Sequence, residues 1–370
     1  MRIGILTSSR ADFGIYLPLL QQLNSDDSFE VKIIAFGTHL SQFHGYTIDQ
    51  IKAAGFQVNY TIESMLLTDS SASVATAMGL TNIKFAEFWK EHAAEFDLVF
   101  CLGDRYEMFS AVMAGVPFQI KFAHLHGGET TLGAIDNVFR HAITLASKYH
   151  FVSTGEYAER VSRLIDNDKN IYNVGALSLD SLIDPKLLSV NEFKQKWLID
   201  LSKKTILCTF HPETVNYNKN QHYAVELVTA LNKLKKYQVI ITMPNADTAG
   251  NIIRKELVEN FSNSDRVFLI ENLGSASYFT AMKYCAFLLG NSSSGIIEAA
   301  SFAKYVIDIG DRQMGRKHGK NVIHTEIDAD KIIEAVTEIE ESEILAPQNI
   351  YFNNGAAMQI IKILKHSING

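Results

Sequence analysis

Cysteine is scarce in this chain of 370 residues: Cys101, Cys208 and Cys285 are all there is, with no CxxC pair and no metal-ligand spacing. That excludes a disulfide framework and a zinc module. The three thiols read as core residues of buried strands in a reducing cytoplasm. Long apolar runs are missing too. None approaches the roughly 20 residues needed to span a bilayer, and the opening MRIGILTSSRAD has no cleavage signal and reads as a first strand. Neither sign of charge dominates: the formal net charge is −7, with acidic and basic residues interspersed. Nucleic acid and an anionic membrane surface are therefore excluded as main partners. No GxGxxG follows the first strand, no GxxxxGK[ST] occurs and no GxSxG elbow is present, which speaks against NAD, a Walker-type ATP site and a serine hydrolase. Repeats of solenoid length and low-complexity tracts are absent.

What is present suits a soluble globular protein of two domains: 47% hydrophobic and 20% charged residues over a length too great for one ordinary core. Short apolar strands alternate with amphipathic helical stretches, the pattern of a parallel α/β sheet. Strands are predicted at 3–6, 31–36, 57–61, 98–102, 120–125, 149–152 and 171–174, then at 205–209, 238–242, 267–270, 287–289 and 306–309. Helical patterns include 75–95 and 224–234. A polar, proline-bearing stretch near 182–191 separates the halves. The expected organisation is an N-terminal Rossmann-like domain over 1–180, a second over 181–350, and a C-terminal helix within 351–370 that packs back on the first domain. Ligands of open parallel sheets sit beyond the carboxyl ends of the strands, so an inter-domain cleft is the expected active site.

The segment GNSSSGIIEA, which begins at Gly290, is the most informative. A strand runs into small hydroxyl and glycine residues and then a helix, the order that makes an anion site from free N–H groups and helix dipole. Ser292, Ser293 and Ser294 add hydroxyls, and Glu298, one turn on, suits two ribose hydroxyls. A serine-rich N-cap without a ligand is the plain alternative.

Other polar groups also follow strands. SSRADFG places Arg10 in a strand-to-helix loop, as an anion clamp or as a surface arginine beside a capping Asp12. LGDRYE offers Asp104 as a base or a cap, and Arg105 for a phosphate. HLHGGETTLGAIDNVFRHAIT is the densest stretch, with His124, His126, Glu129, Asp136, Arg140 and His141. Acid–base work fits it better than metal binding, since no HExxH or similar ligand grid is present. TFHPET offers His211 as a donor to phosphate or a leaving oxygen. MPNADTAG offers Asn245 and Asp247 to a base or ribose, and GDRQMGR offers Arg312 and Arg316.

These motifs, in this order, resemble the hydrolysing UDP-N-acetylglucosamine 2-epimerases of bacterial sialic-acid synthesis, from Arg2 to about Val322. The resemblance implies a glycosyltransferase-B-like fold of two Rossmann-like domains and conversion of UDP-N-acetylglucosamine and water to N-acetylmannosamine and UDP. It sets Arg10, Arg105, His211, Asn245, Ser292, Ser293, Glu298 and Arg312 at nucleotide-binding positions, with Ser294 beside them. Asp104 and Asp136 fall at the family's catalytic carboxylates. Some relatives read HIEGGE where this chain reads HLHGGE, so their functional glutamate aligns with His126. Glu129 is the expected acid–base residue and His126 the second candidate.

The implied chemistry is anti elimination of UDP to a 2-acetamidoglucal, then hydration, with no metal or cofactor. Asp104 and Glu129 are expected around C2, Asp136 at the water and His211 at the leaving phosphate. Similar proteins imply a homo-oligomer, dimer or tetramer, in the cytoplasm. Three alternatives stand beside this reaction: the same chemistry on a UDP-2,4-diacetamido-2,4,6-trideoxyhexose of the legionaminic acid route, a non-hydrolysing 2-epimerase, and a retaining glycosyltransferase. A non-catalytic nucleotide-sugar sensor is a fourth.

Overall fold

Runs such as LVFCL and TILCT are apolar on both faces, as a strand covered by helices on both sides must be. The computed structural model describes residues 1–370 except 67, 69, 184, 216, 245–249 and 370. Among the described residues the strands are β1 (Arg2–Thr7), β2 (Glu30–Phe36), β3 (Val58–Ile62), β4 (Leu98–Leu102), β5 (Phe122–Leu125), β6 (Ser147–Val152) and β7 (Ile171–Asn173). They continue with β8 (Thr205–Thr209), β9 (Gln238–Thr242), β10 (Val267–Ile270), β11 (Phe287–Gly290), β12 (Val306–Ile309) and β13 (Val322–Thr325).

Two sheets result, both parallel throughout. The first runs β3-β2-β1-β4-β5-β6-β7 and the second β10-β9-β8-β11-β12-β13. The fold is α/β, with two Rossmann-like units. One comprises Met1–Glu129, Asp136–Ile183 and Tyr351–Gly370; the other comprises Thr130–Ile135 and Asp184–Ile350. Alternation along each strand divides the first unit's core between its two faces. Ile3, Ile5, Ile33, Leu98 and Phe100 enter one cluster. Leu6, Ile34, Phe36, Val99 and Cys101 enter the other, with Trp89 and Phe122. All three cysteines are buried and unbridged. Cys285 precedes β11 rather than lying within a strand, and burial pushes each thiol up to about 12.

One strand, β13, escaped the sequence pattern. It is short, carries His324 in the middle and pairs only with β12 at the sheet edge, where no continuous apolar run is needed. At the other end of the chain, the helix Ala356–Asn369 completes the first unit. Its Ala356, Ala357, Ile360 and Leu364 enter the cluster of Tyr16, Leu19, Leu20 and Leu23. Asp180 caps it from outside, accepting from the Ala356 and Ala357 N–H groups at 2.8 and 2.7 Å. The Tyr351 carbonyl accepts from Ala176 N–H at 2.8 Å.

Candidate active site

In the first unit, each chemically loaded loop leaves the carboxyl end of a strand. After β1, Ser9 caps the helix Arg10–Asn24 in a capping box with Asp12. The Asp12 carboxylate accepts from Ser8 N–H, Ser8 Oγ, Ser9 N–H and Ser9 Oγ at 2.7–3.1 Å. Asp12 therefore serves the loop that presents Arg10 at the first helical position. The loop after β2 presses on it. Thr38 N–H and Thr38 Oγ1 both donate to the Ser8 carbonyl, at 2.8 and 3.0 Å. Gly37 has φ +58, and a Cβ there would meet Ser8 O at 2.7 Å. His39 is buried between the Thr7 and Thr47 hydroxyls, both at 2.9 Å, and desolvation lowers its pKa to about 4.

After β4, Asp104 pairs with Arg140 of the helix Asp136–Ala146. Arg140 is buried, while the Asp104 side chain is 24% exposed. A buried guanidinium needs such a carboxylate, and the pairing leaves the rest of Asp104 open to a reactant. Asp104 does not cap the next helix; Arg105 occupies that position. Arg105 donates to Glu107 at 3.1 Å, an internal partner for a side chain expected at phosphate. His124 supports this turn from β5: its Nε2 lies 2.8 Å from the Gly103 carbonyl and its Nδ1 3.0 Å from Thr144 Oγ1. A carbonyl only accepts, so Nε2 carries the proton. Burial lowers the pKa to about 3 and keeps the ring neutral.

The HLHGGE segment after β5 forms a second constellation. His126 adopts φ +64, an uncommon conformation for a residue with a Cβ. Its Nδ1 lies 2.7 Å from Glu129 Oε1, which also accepts from Ser153 Oγ at 3.0 Å. Glu129 is buried at 1% exposure and His126 at 8%. A carboxylate orienting one ring nitrogen leaves the other for proton transfer. His126 Nε2 has no hydrogen-bond partner among the described residues. Gly128, at φ +77, lets the loop pass Tyr157, whose carbonyl a Cβ would meet at 2.5 Å. Asp136, half-buried, opens the helix that carries Arg140 and His141.

In the second unit, backbone groups take the larger share. Gly290 ends β11 at φ +137, where a Cβ would lie 2.0 Å from Thr209 O. Ser292 is the N-cap of the helix Ser293–Ile297. That helix has five residues and passes into a 3-10 turn at Ala299–Phe302, so it is shorter than the pattern predicts. What it offers an anion is first-turn N–H groups more than a macrodipole. Gly295 has a packing reason as well: its Cβ would meet Val306 at 2.9 Å. Glu298 is buried at the end of the helix.

Two buried side chains that the sequence reading passed over join these loops. Asn291 accepts from His211 N–H at 2.7 Å and donates to the His211 carbonyl at 2.8 Å. Its own carbonyl accepts from Gln313 at 2.8 Å. Glu213 accepts from Asp311 N–H at 2.6 Å. Ser292–Ser294, His211 and the Arg312 loop are thereby connected. Both residues lie inside motifs already singled out, GNSSSG and TFHPET, but only the fold reveals their partners. Asn245 and Asp247 lie outside the described residues. No helix among the described residues is long and apolar enough to cross a membrane.

The family model described as UDP-N-acetylglucosamine 2-epimerase matches residues 21–365. A GDP/UDP-N,N'-diacetylbacillosamine 2-epimerase (hydrolyzing) of Campylobacter jejuni is 35% identical, over 90% of this chain and 86% of that protein. A UDP-N,N'-diacetylbacillosamine 2-epimerase (hydrolyzing) of Legionella pneumophila is 32% identical, over 98% and 95%. Among solved structures, UDP-GlcNAc 2-epimerase from Neisseria meningitidis, bound to UDP-GlcNAc, superposes with a TM-score of 0.82 at 18% identity, over 99% of this chain and 100% of that one. That last likeness speaks for the fold; the family match and the two relatives go further, and this chain belongs to the UDP-N-acetylglucosamine 2-epimerase family.

Proposed function

We propose that this protein is a hydrolysing 2-epimerase that converts a UDP-2-acetamido sugar and water to the free 2-epimeric sugar and UDP. The observation that carries the hydrolysing type is the likeness to two relatives whose names both include it, at 35% and 32% identity. Those names also favour UDP-N,N'-diacetylbacillosamine as substrate, over the N-acetylglucosamine nucleotide that the motifs first suggest. UDP-N-acetylglucosamine remains the second reading, supported by the fold neighbour bound to it.

The reaction begins with departure of UDP from C1 and loss of the C2 proton. That proton is barely acidic, so C1–O cleavage runs ahead of its removal, with oxocarbenium character at C1. Holding the leaving diphosphate is then the main electrostatic task. Ser292, Ser293, Ser294, Arg10, Arg105 and Arg312 are assigned to it, with Glu298 and Asn245 on the nucleoside and His211 donating to the leaving oxygen. Asp104 takes the C2 proton and leaves a C1–C2 double bond. Water then adds at C1, activated by Asp136, and a proton returns to C2 from the opposite face. The His126–Glu129 pair is assigned this second proton, His126 Nε2 exchanging it and Glu129 with Ser153 fixing the ring. Their buried hydrogen bonds support that division better than a free Glu129 acting alone.

An NMR time course in D2O with each of the two UDP-sugars tests the proposal. Free UDP and a free 2-epimeric sugar deuterated at C2 are expected, faster from the diacetamido substrate. A UDP-linked epimer without free UDP would identify a non-hydrolysing enzyme instead.

A further inference from the structure

We propose that Arg160 is a positioning residue for the His126–Glu129 pair, acting through the carbonyl of Gly128. The inference rests on the role given above to that pair, the return of a proton to C2. All the residues concerned belong to the first unit. Arg160 lies on the helix Gly155–Ile165, which Thr154 caps shortly after β6. The segment from His126 to Glu129 is fastened to β6 and to this helix at three points. His126 N–H donates to the Phe151 carbonyl at 3.1 Å. Ser153 Oγ donates to Glu129 Oε1 at 3.0 Å. Between them, Arg160 Nη1 donates to the Gly128 carbonyl at 2.8 Å.

The middle anchor matters because of the glycine it holds. Besides the Tyr157 carbonyl, a Cβ on Gly128 would meet Val161 Cγ2 at 2.9 Å. Tyr157 and Val161 are fully buried on the same helix as Arg160. Close packing therefore demands glycine here, and glycine brings a backbone that rotates easily at ψ. The peptide that follows is planar, so the direction of the Gly128 carbonyl sets the start of Glu129 and the course of its side chain. A guanidinium on that carbonyl removes the freedom with a charge-assisted hydrogen bond. Arg160 is itself held in place. Its guanidinium lies over the Tyr157 ring, 5.5 Å from the centroid. Glu156, one turn back, lies 3.6 Å away. The Arg160 side chain is 27% exposed, so truncating it opens no large cavity in the core.

The test uses the full chain with Arg160→Met, which keeps the stem and removes the donors, and Arg160→Lys, which keeps the charge on a side chain one bond shorter. Glu156→Gln is the control. Each receives the UDP-sugar that the wild type turns over. Quenched single-turnover samples separate UDP formed from free 2-epimeric sugar formed, and NMR identifies any 2-acetamidoglucal between them. Steady-state UDP release gives KM, and calorimetry the UDP affinity. For Arg160→Met, formation of the sugar should slow about 100-fold, as for other misplacements near 1 Å. Elimination by Asp104 does not use the pair, so UDP formation should slow less, and the glucal should account for the difference. KM and UDP affinity should stay within about threefold. Arg160→Lys should show the same imbalance, with sugar formation slowed about tenfold. Glu156 makes only a surface pair, and its variant should match wild type.

If Arg160→Met fails to fold, Arg160→Lys decides. Sugar formed at the wild-type rate by a folded variant would overturn the positioning role. So would UDP and sugar slowed in equal measure with no glucal, the mark of a merely structural residue. A wild-type enzyme that releases no UDP from either sugar would remove the functional reading itself, a result read before any variant is made.

Discussion

The two units share a winding order and differ in what they place at their strand ends. In both, the third strand in sequence lies at one edge, the first is central and the fourth lies beside it. The first unit ends its strands in titratable side chains paired with one another: Asp104 with Arg140, Glu129 with His126, His39 between two threonines. The second ends its strands in glycine, serine and a short helix start, tied by Asn291 and Glu213. Paired titratable groups suit proton movement, whose driving force lies in the pKa. Fixed N–H groups suit a charge that arrives already formed. The same topology serves either purpose, because the strand ends are free to vary once the core is satisfied.

The comparison breaks if first-unit changes act on nucleotide affinity. Asp104→Asn should cost about 1,000-fold or more in UDP release, the upper range for general acid–base groups, with UDP affinity retained and the circular dichroism spectrum unchanged. Near-normal turnover would remove Asp104 from the mechanism. Glu129→Gln should lose about 100-fold in kcat. His126→Asn should lose as much. A Glu129→Gln variant at full rate beside a slow His126→Asn would separate the pair.

A second-unit change should do the reverse. Asn291→Ala removes two buried hydrogen bonds to the His211 backbone, a loss of about 1–3 kcal/mol. UDP binding should weaken by about tenfold or more while kcat falls less; calorimetry and a KM series read the two apart.

Acid stability sharpens the contrast at smaller scale. His39, His124 and His150 of the first unit are held by burial at about 4, 3 and 4, below the ordinary histidine value. An unfolded chain takes up protons at these sites from about pH 6.5; the folded unit does not until near 4 or 3. Stability is therefore full above that upper value and falls as pH drops through the window. His324 of the second unit is shifted the other way, by its hydrogen bond to Asp308. Its contribution is present below the unfolded value and is lost as pH rises through the folded one. Hydrogen exchange at pH 5 should find first-unit core amides deprotected before second-unit ones, and His39→Gln should shrink the gap. With its side chain 41% exposed, His324→Gln should change stability by less than about 1 kcal/mol.

Much of the fold was legible because buried parallel strands are written as continuous apolar runs, as at Leu98–Leu102 and Phe287–Leu289. β13 was not, since an edge strand with His324 facing outward obeys no such pattern. For the candidate site, motif order singled out the loops, and charge with position nominated Asp104, Glu129 and Arg312 as candidates. It did not reveal that Arg105 turns to Glu107 or that Glu129 is held by His126 and Ser153, because a hydrogen-bond partner, whether two or three residues away or on another loop, leaves no periodicity. Asn291 and Glu213 are silent in sequence for the same reason.

The helix Ala356–Asn369 has a bearing on how the polypeptide is made. The first unit is built from segments on both sides of the second in sequence. On a ribosome, the inner unit has all its strands available while the outer one still lacks Ile360 and Leu364, which fill the space beside Tyr16 and Leu20. A nascent chain halted near residue 350 would thus carry a finished inner unit and an outer one with an apolar trough laid bare, the form most in need of a chaperone.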